Sequence, residues 1–215
     1  MAAPAPCSRC SRCTTSRATI ACSTAPSRAA VTAQPIAHVL ANRWSPRSYA
    51  SGHAVSESEL EALLEAARWA PSSKNSQARR FVVGRRGGEL FARISATLHD
   101  KNMLWAPNAS LLIVGVLVRI DGRGRDERFA EYDLGQAVAH MAVQAESLDL
   151  RMRQIGGFDR EGLAEALGLQ HPYEPFIVAA VGRQAEADEL EEELAERERA
   201  PRTRLPLSEL ILARD

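Results

Sequence analysis

Residues Ala66–Phe81 read AARWAPSSKNSQARRF. The spacing of Leu60, Leu63, Leu64 and Ala67 predicts an amphipathic helix running into this stretch, and Pro71 ends it. Ser72, Ser73, Lys74, Asn75 and Ser76 follow as an unbroken polar run, with Gln77 behind them, before Phe81-Val82-Val83 takes the chain back into a core as a strand. A polar loop held between a rigid helix and a rigid strand suits a ligand site, because its hydroxyl and amide groups are fixed by their neighbours. The same spacing fits an ordinary surface loop, so the rest of the chain has to decide.

Upstream, Ser56-Glu57-Ser58-Glu59 has the form of a capping box and marks where the helix begins. Earlier still, Ile36, Val39 and Leu40 have helical spacing, and Pro46 pushes Ser45 out of the helical region. Arg43, Ser45 and Arg47 therefore share one short turn. Two guanidinium forks and a hydroxyl suit a phosphate, although an exposed basic turn has the same composition.

Downstream, Gly87-Gly88 turns the chain into a predicted helix over 89–98, with Leu90, Phe91, Ile94 and Leu98 inward. The connection 99–108 carries Lys101 and Asn102, with Met103, Leu104 and Trp105 as an apolar wall. Ser110–Val118, SLLIVGVLV, predicts a strand covered on both faces, and Phe176–Val181, FIVAAV, a second. Gly122-Arg123-Gly124 does not complete a dinucleotide fingerprint, since Glu127 stands where the third glycine is needed. Tyr132–Leu148 predicts a long helix, either the core helix or a dimer seam. His140 and Gln144 lie one turn apart on it, without the further ligands a metal requires. Gly156-Gly157 precedes Asp159, a candidate cap for a helix over 160–168. The acidic run 186–198, EADELEEELAERE, reads as a solvated helix. It is followed by Arg202, Arg204 and an apolar tail of Leu207, Leu210, Ile211 and Leu212 that must pack somewhere, plausibly on a partner subunit.

Composition narrows the class. The 27 basic and 27 acidic residues balance, which argues against bulk attraction to nucleic acid or an anionic membrane. No apolar run approaches the ~20 residues of a membrane span. Residues 1–34 are rich in Ala, Ser, Arg and Thr and contain Cys7, Cys10, Cys13 and Cys22, the chain's four cysteines. CSRCSRC has half the spacing of a zinc site and lacks a second pair. The segment is expected to be disordered or targeting-like, with the fold confined to 35–215. A cysteine-free body fits a reducing, cytoplasmic setting, with organelle targeting by the tail as the alternative.

Taken together, four segments resemble the FMN-dependent nitroreductase family, in its order and spacing, over about residues 41–212. They are Arg43-Trp44-Ser45-Pro46-Arg47, then Ala66–Gln77 with its Ala-Pro-Ser-x-x-Asn-x-Gln pattern, then Ile155-Gly156-Gly157-Phe158-Asp159, and finally Arg202-Thr203-Arg204-Leu205-Pro206. The resemblance implies an α+β fold, a mixed sheet flanked by helices, and an intertwined homodimer with FMN at the subunit interface. It places Arg43, Trp44, Ser45, Arg47, Arg202 and Arg204 around the phosphate and ribityl chain. Pro71, Ser72, Ser73, Asn75 and Gln77 would be contributed by the second subunit. Lys101 or Asn102 would meet the pyrimidine edge of the ring, and Ile155, Gly156 and Gly157 would border flavin N5. NADPH or NADH would donate hydride, and a nitroaromatic, quinone, enone or reactive carbonyl would accept it, in a ping-pong cycle that needs no catalytic side chain and no metal. A low-turnover FMN storage or sensor protein is the alternative. Oxygen-dependent flavin destruction or dehalogenation on the same fold normally needs lid insertions that this chain lacks. One departure stands out: where the family usually has Pro-Trp after Asn-x-Gln, this chain has Ala78-Arg79, which is expected to place extra charge near the site.

Overall fold

The computed structural model describes residues 34–120 and 123–215. The tail cysteines and Gly122 lie outside the described residues. Four strands form one sheet in the order β1-β2-β4-β3, where β1 is Arg79–Arg85, β2 Leu111–Val118, β3 Arg151–Ile155 and β4 Tyr173–Gly182. All three pairings are antiparallel, with Val83 opposite Ile113, Ile113 opposite Ala179, and Met152 opposite Val181. The α+β expectation stands, but among the described residues the sheet is antiparallel throughout rather than mixed. A continuous apolar run reports that both faces are covered; it does not report strand direction.

Helices cover both faces. On one side, α2 (Glu57–Trp69) and α5 (Ala130–Ser147) bring Leu60, Leu63, Leu134, Val138 and Met141 against Leu111, Ile113 and Leu117 of β2. On the other, α3 (Glu89–Ser95) and α6 (Arg160–Leu167) bring Phe91, Ile94 and Leu163 against Leu112, Val114 and Val116. The period-two alternation of a strand thus sends consecutive β2 residues into two separate cores. The Ser56 capping box forms as expected, with Ser56 Oγ accepting from the Glu59 N–H and Glu59 accepting from the Ser56 N–H at 2.7 Å. Asp159 caps α6 through the Gly162 N–H at 3.0 Å.

Two local expectations are corrected, those for Leu90 and for the acidic run. Leu90 is 40% exposed, because α3 ends at Ser95 and buries only the stripe of Phe91 and Ile94. Strand β3 starts at Arg151, although its alternating charges hide it from a hydrophobic reading. His140 faces solvent and Gln144 is half-buried on this single chain. The acidic run folds only in part as α7 (Glu192–Arg199), and that helix is not wholly solvated: Leu194, Ala195 and Glu198 lie on a buried face, and Glu198 is fully buried. The short α1 (His38–Asn42) and α8 (Leu207–Leu210) leave Leu40, Leu207, Leu210, Ile211 and Leu212 exposed on this single chain. Among the described residues no helix is long and apolar enough to cross a membrane.

Candidate functional site

Arginines from both ends of the described chain converge. A cavity of about 170 Å³ is lined by Arg43, Arg47, Arg153, Arg197, Arg202 and Arg204, with Trp44 and Ser45 between them. Glu198 anchors this wall from beneath. Its Oε1 accepts from the Trp44 indole N–H at 2.8 Å, and its Oε2 accepts from the Arg47 backbone N–H at 3.0 Å. Arg202 closes over the segment, donating to the carbonyls of Arg43 (2.6 Å) and Ala41 and lying above the Trp44 ring. Ser45 is tied on both sides: its Oγ accepts from Arg43 at 2.9 Å and its carbonyl from Arg153 at 2.5 Å. Accepting from Arg43 leaves the serine hydroxyl hydrogen to donate elsewhere.

The electrostatics of the cluster favour an anion. Burial, and then the neighbouring Arg204, hold Arg43 below the usual guanidinium range; burial followed by Arg204 and Arg43 does the same to Arg202. Arg153 is lowered by burial and then by Arg47. Partly dehydrated like charges repel one another, and a dianion placed among them relieves both penalties. A second, larger cavity of about 440 Å³ adjoins the first, sharing Arg43, Ser45 and Arg153. Its other walls are Leu40, Ala139, Ala142, Val143, Met152 and Gln154. A small cationic end continuing into a wider, mostly apolar space suits a phosphate ester carrying a flat ring.

The Gly-Gly turn follows directly from this wall. Ile155 is buried at the end of β3, Gly156 is exposed, and a Cβ built on Gly156 would meet nothing within 4 Å. Gly157 is different: its carbonyl accepts from Asn102 Nδ2 at 2.9 Å, and a Cβ there would come within 3.0 Å of that nitrogen and 3.3 Å of His99 Nδ1. Asn102, half-buried in the short helix α4 (Asp100–Met103), therefore uses its side-chain amide to hold the turn. Lys101 beside it is exposed.

The Pro71–Gln77 loop lies elsewhere. Neither cavity is lined by any of its residues. Pro71, Asn75 and Gln77 are exposed, while Ser72 and Ser73 are half-buried. A 3-10 turn spans Ser73–Asn75, and Lys74, Asn75 and Gln77 adopt left-handed φ of 51, 56 and 52°. Ser72 Oγ accepts from the Gln77 N–H at 3.1 Å, which closes the turn on itself. One chain thus presents the loop and the arginine wall as two separate surfaces. Arg79 corrects the expectation of extra charge near the site: it is 6% exposed, and its guanidinium is turned under the end of α2, onto the carbonyls of Ala70 (2.7 Å) and Arg68 (3.2 Å).

Three positions went unread in the sequence: Glu198, Arg153 and Asp133. Asp133 and Glu198 each had a signal. Asp133 interrupts the apolar stripe Ala130, Leu134, Ala137, and Glu198 continues the stripe of Leu194 and Ala195. A charge on an apolar helical face is either an error of register or a buried partner.

The nitroreductase family model matches residues 40–102 and 89–183. The chain belongs to the nitroreductase family. An uncharacterized 15.4 kDa protein of Mycolicibacterium smegmatis, encoded in the ask 5' region, is 38% identical over 142 residues, covering 61% of this chain and 92% of its own length. A crystal structure described as an oxidoreductase containing FMN is similar with TM-score 0.79 and 29% identity, over 84% of this chain and 92% of the other. A Desulfovibrio desulfuricans protein assigned as a nitroreductase, in complex with FMN, is similar with TM-score 0.69 and 26% identity, over 86% and 99% of the two chains. Both solved structures share the fold of this chain.

Proposed function

We propose that this chain is a cytoplasmic, homodimeric FMN-dependent oxidoreductase that draws hydride from NADPH or NADH and reduces a small nitroaromatic, quinone, enone or reactive carbonyl. The observation that carries the reading is the meeting of Arg43, Arg47, Arg202 and Arg204 in one cavity that adjoins a larger one sharing Arg43, Ser45 and Arg153. Structural relatives described as containing FMN support it. The functional unit is residues 35–215.

FMN, when bound, supplies the two-electron carrier that accepts hydride from the nicotinamide and passes it to the acceptor. The arginines hold the phosphate by charge-assisted hydrogen bonds, and the Ser45 hydroxyl adds a donor. Trp44 spends its N–H on Glu198 and serves as a rigid floor. Gly156, with no side chain and open space above it, admits a planar group close to the backbone. Asn102 fixes the Gly157 carbonyl and so the direction of that turn. The exposed loop residues Pro71, Asn75 and Gln77, with Ser72 and Ser73, complete the site from a second copy, and the exposed Leu207–Leu212 tail packs between copies.

The test is spectroscopic. The purified protein should carry the visible absorbance of bound flavin, and anaerobic mixing with NADPH or NADH should bleach it. Bound flavin that stays oxidised with both donors would reject the reductase reading and leave a storage or sensor protein.

A further inference from the structure

The loop Pro71–Gln77 is an awkward shape to maintain. Three non-glycine residues within four positions occupy the left-handed region, where Cβ crowds the backbone. The loop's own hydrogen bonds, Asn75 N–H to Ser72 O at 3.0 Å and Ser76 N–H to Ser73 O at 2.9 Å, tighten the turn but do not attach it to the body. Attachment comes from two buried charges, one at each foot.

At the first foot, Arg79 opens β1 and reaches back to the end of α2. Its Nη2 donates to the carbonyls of Ala70 and Arg68, groups that a helix C-terminus leaves without intrahelical donors. The partial negative charge of that terminus favours a cation there. Its Nη1 is buried with no hydrogen-bond partner. At the second foot, Asp133 in the first turn of α5 is 1% exposed, and its Oδ2 accepts from the Ser73 N–H at 2.9 Å and from Ser76 Oγ at 3.4 Å. Burial disfavours the Arg79 charge, the Asp133 carboxylate offsets part of that penalty, and Arg80 adds to it.

We propose that Arg79 and Asp133 position the Pro71–Gln77 loop as two separate buried anchors, Arg79 fixing where the loop leaves α2 and Asp133 fixing how Ser73 and Ser76 sit on α5. Both are positioning residues, since neither lines the arginine cavity. The consequence for cofactor binding rests on the FMN reading; the consequence for the loop does not.

The experiment therefore uses two readouts on the full chain, with Arg79→Met, Asp133→Asn, the double variant, and Arg79→Lys. The first readout, on cofactor-free protein, is the rate of tryptic cleavage after Lys74, followed by mass spectrometry. Each single neutral variant should speed this cleavage by about tenfold or more, the scale of a lost charge-assisted bond. The double variant should be at least as fast as the faster single, because each residue holds a different end of the loop. Arg79→Lys, which keeps the charge, should recover part of the protection. The second readout is FMN affinity by fluorescence quenching, expected to weaken roughly 10- to 100-fold in the singles. Cleavage after Lys74 within twofold of the parent in every variant would overturn the proposal. So would a double variant cleaved more slowly than either single, since the two residues would then not both hold the loop. A rise at all tryptic sites together signals global unfolding, and the comparison of Arg79→Lys with the parent then decides. A parent protein that binds no FMN would defeat the functional reading, while the Lys74 cleavage would still judge the pair.

Discussion

Glu198→Gln isolates the link between the acidic helix and the arginine wall. The wild-type carboxylate is fully buried; its Oε1 accepts from the Trp44 indole at 2.8 Å and from Gln184 Nε2 at 3.5 Å, and its Oε2 accepts from the Arg47 amide at 3.0 Å. Glutamine keeps the volume but presents one oxygen and one NH₂. Whichever way it turns, one N–H faces another N–H. Two charge-assisted bonds of about 1.5–3 kcal/mol each become one neutral bond of about 1 kcal/mol, plus a donor left without an acceptor. The net loss is about 3 kcal/mol or more, which in a domain of this size lowers the melting temperature by roughly 6–12 °C or more. The assay is urea denaturation monitored by tryptophan fluorescence, with and without saturating FMN. The midpoint should fall at constant slope without FMN. The gap between variant and parent should widen with FMN, because a displaced Arg47 segment binds the ligand less well and gains less from it. An unchanged midpoint in both conditions would refute the claim that Glu198 anchors the wall.

Four further outcomes are expected. Arg43→Ala combined with Arg204→Ala should strip FMN from the purified protein, and retention at full occupancy, read by absorbance, would remove these residues from the phosphate site. Gly156→Ala has free space in the protein itself, so its melting temperature should stay within the spread of surface substitutions, about 0.5 kcal/mol, while FMN titration shows weakened binding. Glu146, at 7% side-chain exposure and 3.3 Å from Arg151, is raised by burial above the ordinary carboxylate range. The folded state therefore holds more protons than the unfolded state between the two values, and stability falls as pH rises through that window. The pH-dependence of unfolding in that weakly acidic range should flatten in Glu146→Gln. Deletion of residues 1–34 should leave FMN content and turnover unchanged, checked by flavin-to-protein ratio and steady-state rate.

How much was legible in the sequence depends on how far each signal reaches. Capping at Ser56 and Asp159, the stop at Pro71 and the buried strand at Leu111–Val118 are local, and a few neighbouring residues determine each one. Strand direction was not legible, since the apolar run of β2 records helices on both faces and nothing about its partners. Strand β3 escaped because Arg151 and Arg153 alternate with Met152 and read as surface, whereas Arg153 is held by the Ser45 carbonyl and lies over the Trp105 ring. Arg79 was legible as a departure but not as a conformation. Its charge is turned inward onto carbonyls that only the folded α2 presents. Resemblance brought the arginines together before geometry did, because their spacing along the chain spans most of its length.

That span bears on when the site comes into being. Arg202 seals the wall by bonding to carbonyls of Ala41 and Arg43, about 160 positions earlier. A ribosome that has just completed β4 at Gly182 has supplied every described strand, yet not Glu198, Arg202 or Arg204. On the proposed function, cofactor capture would be deferred until synthesis has passed these residues. A chain terminated near residue 190 could assemble its sheet and still be unable to load, so flavin retention would report that translation had run past the last arginines.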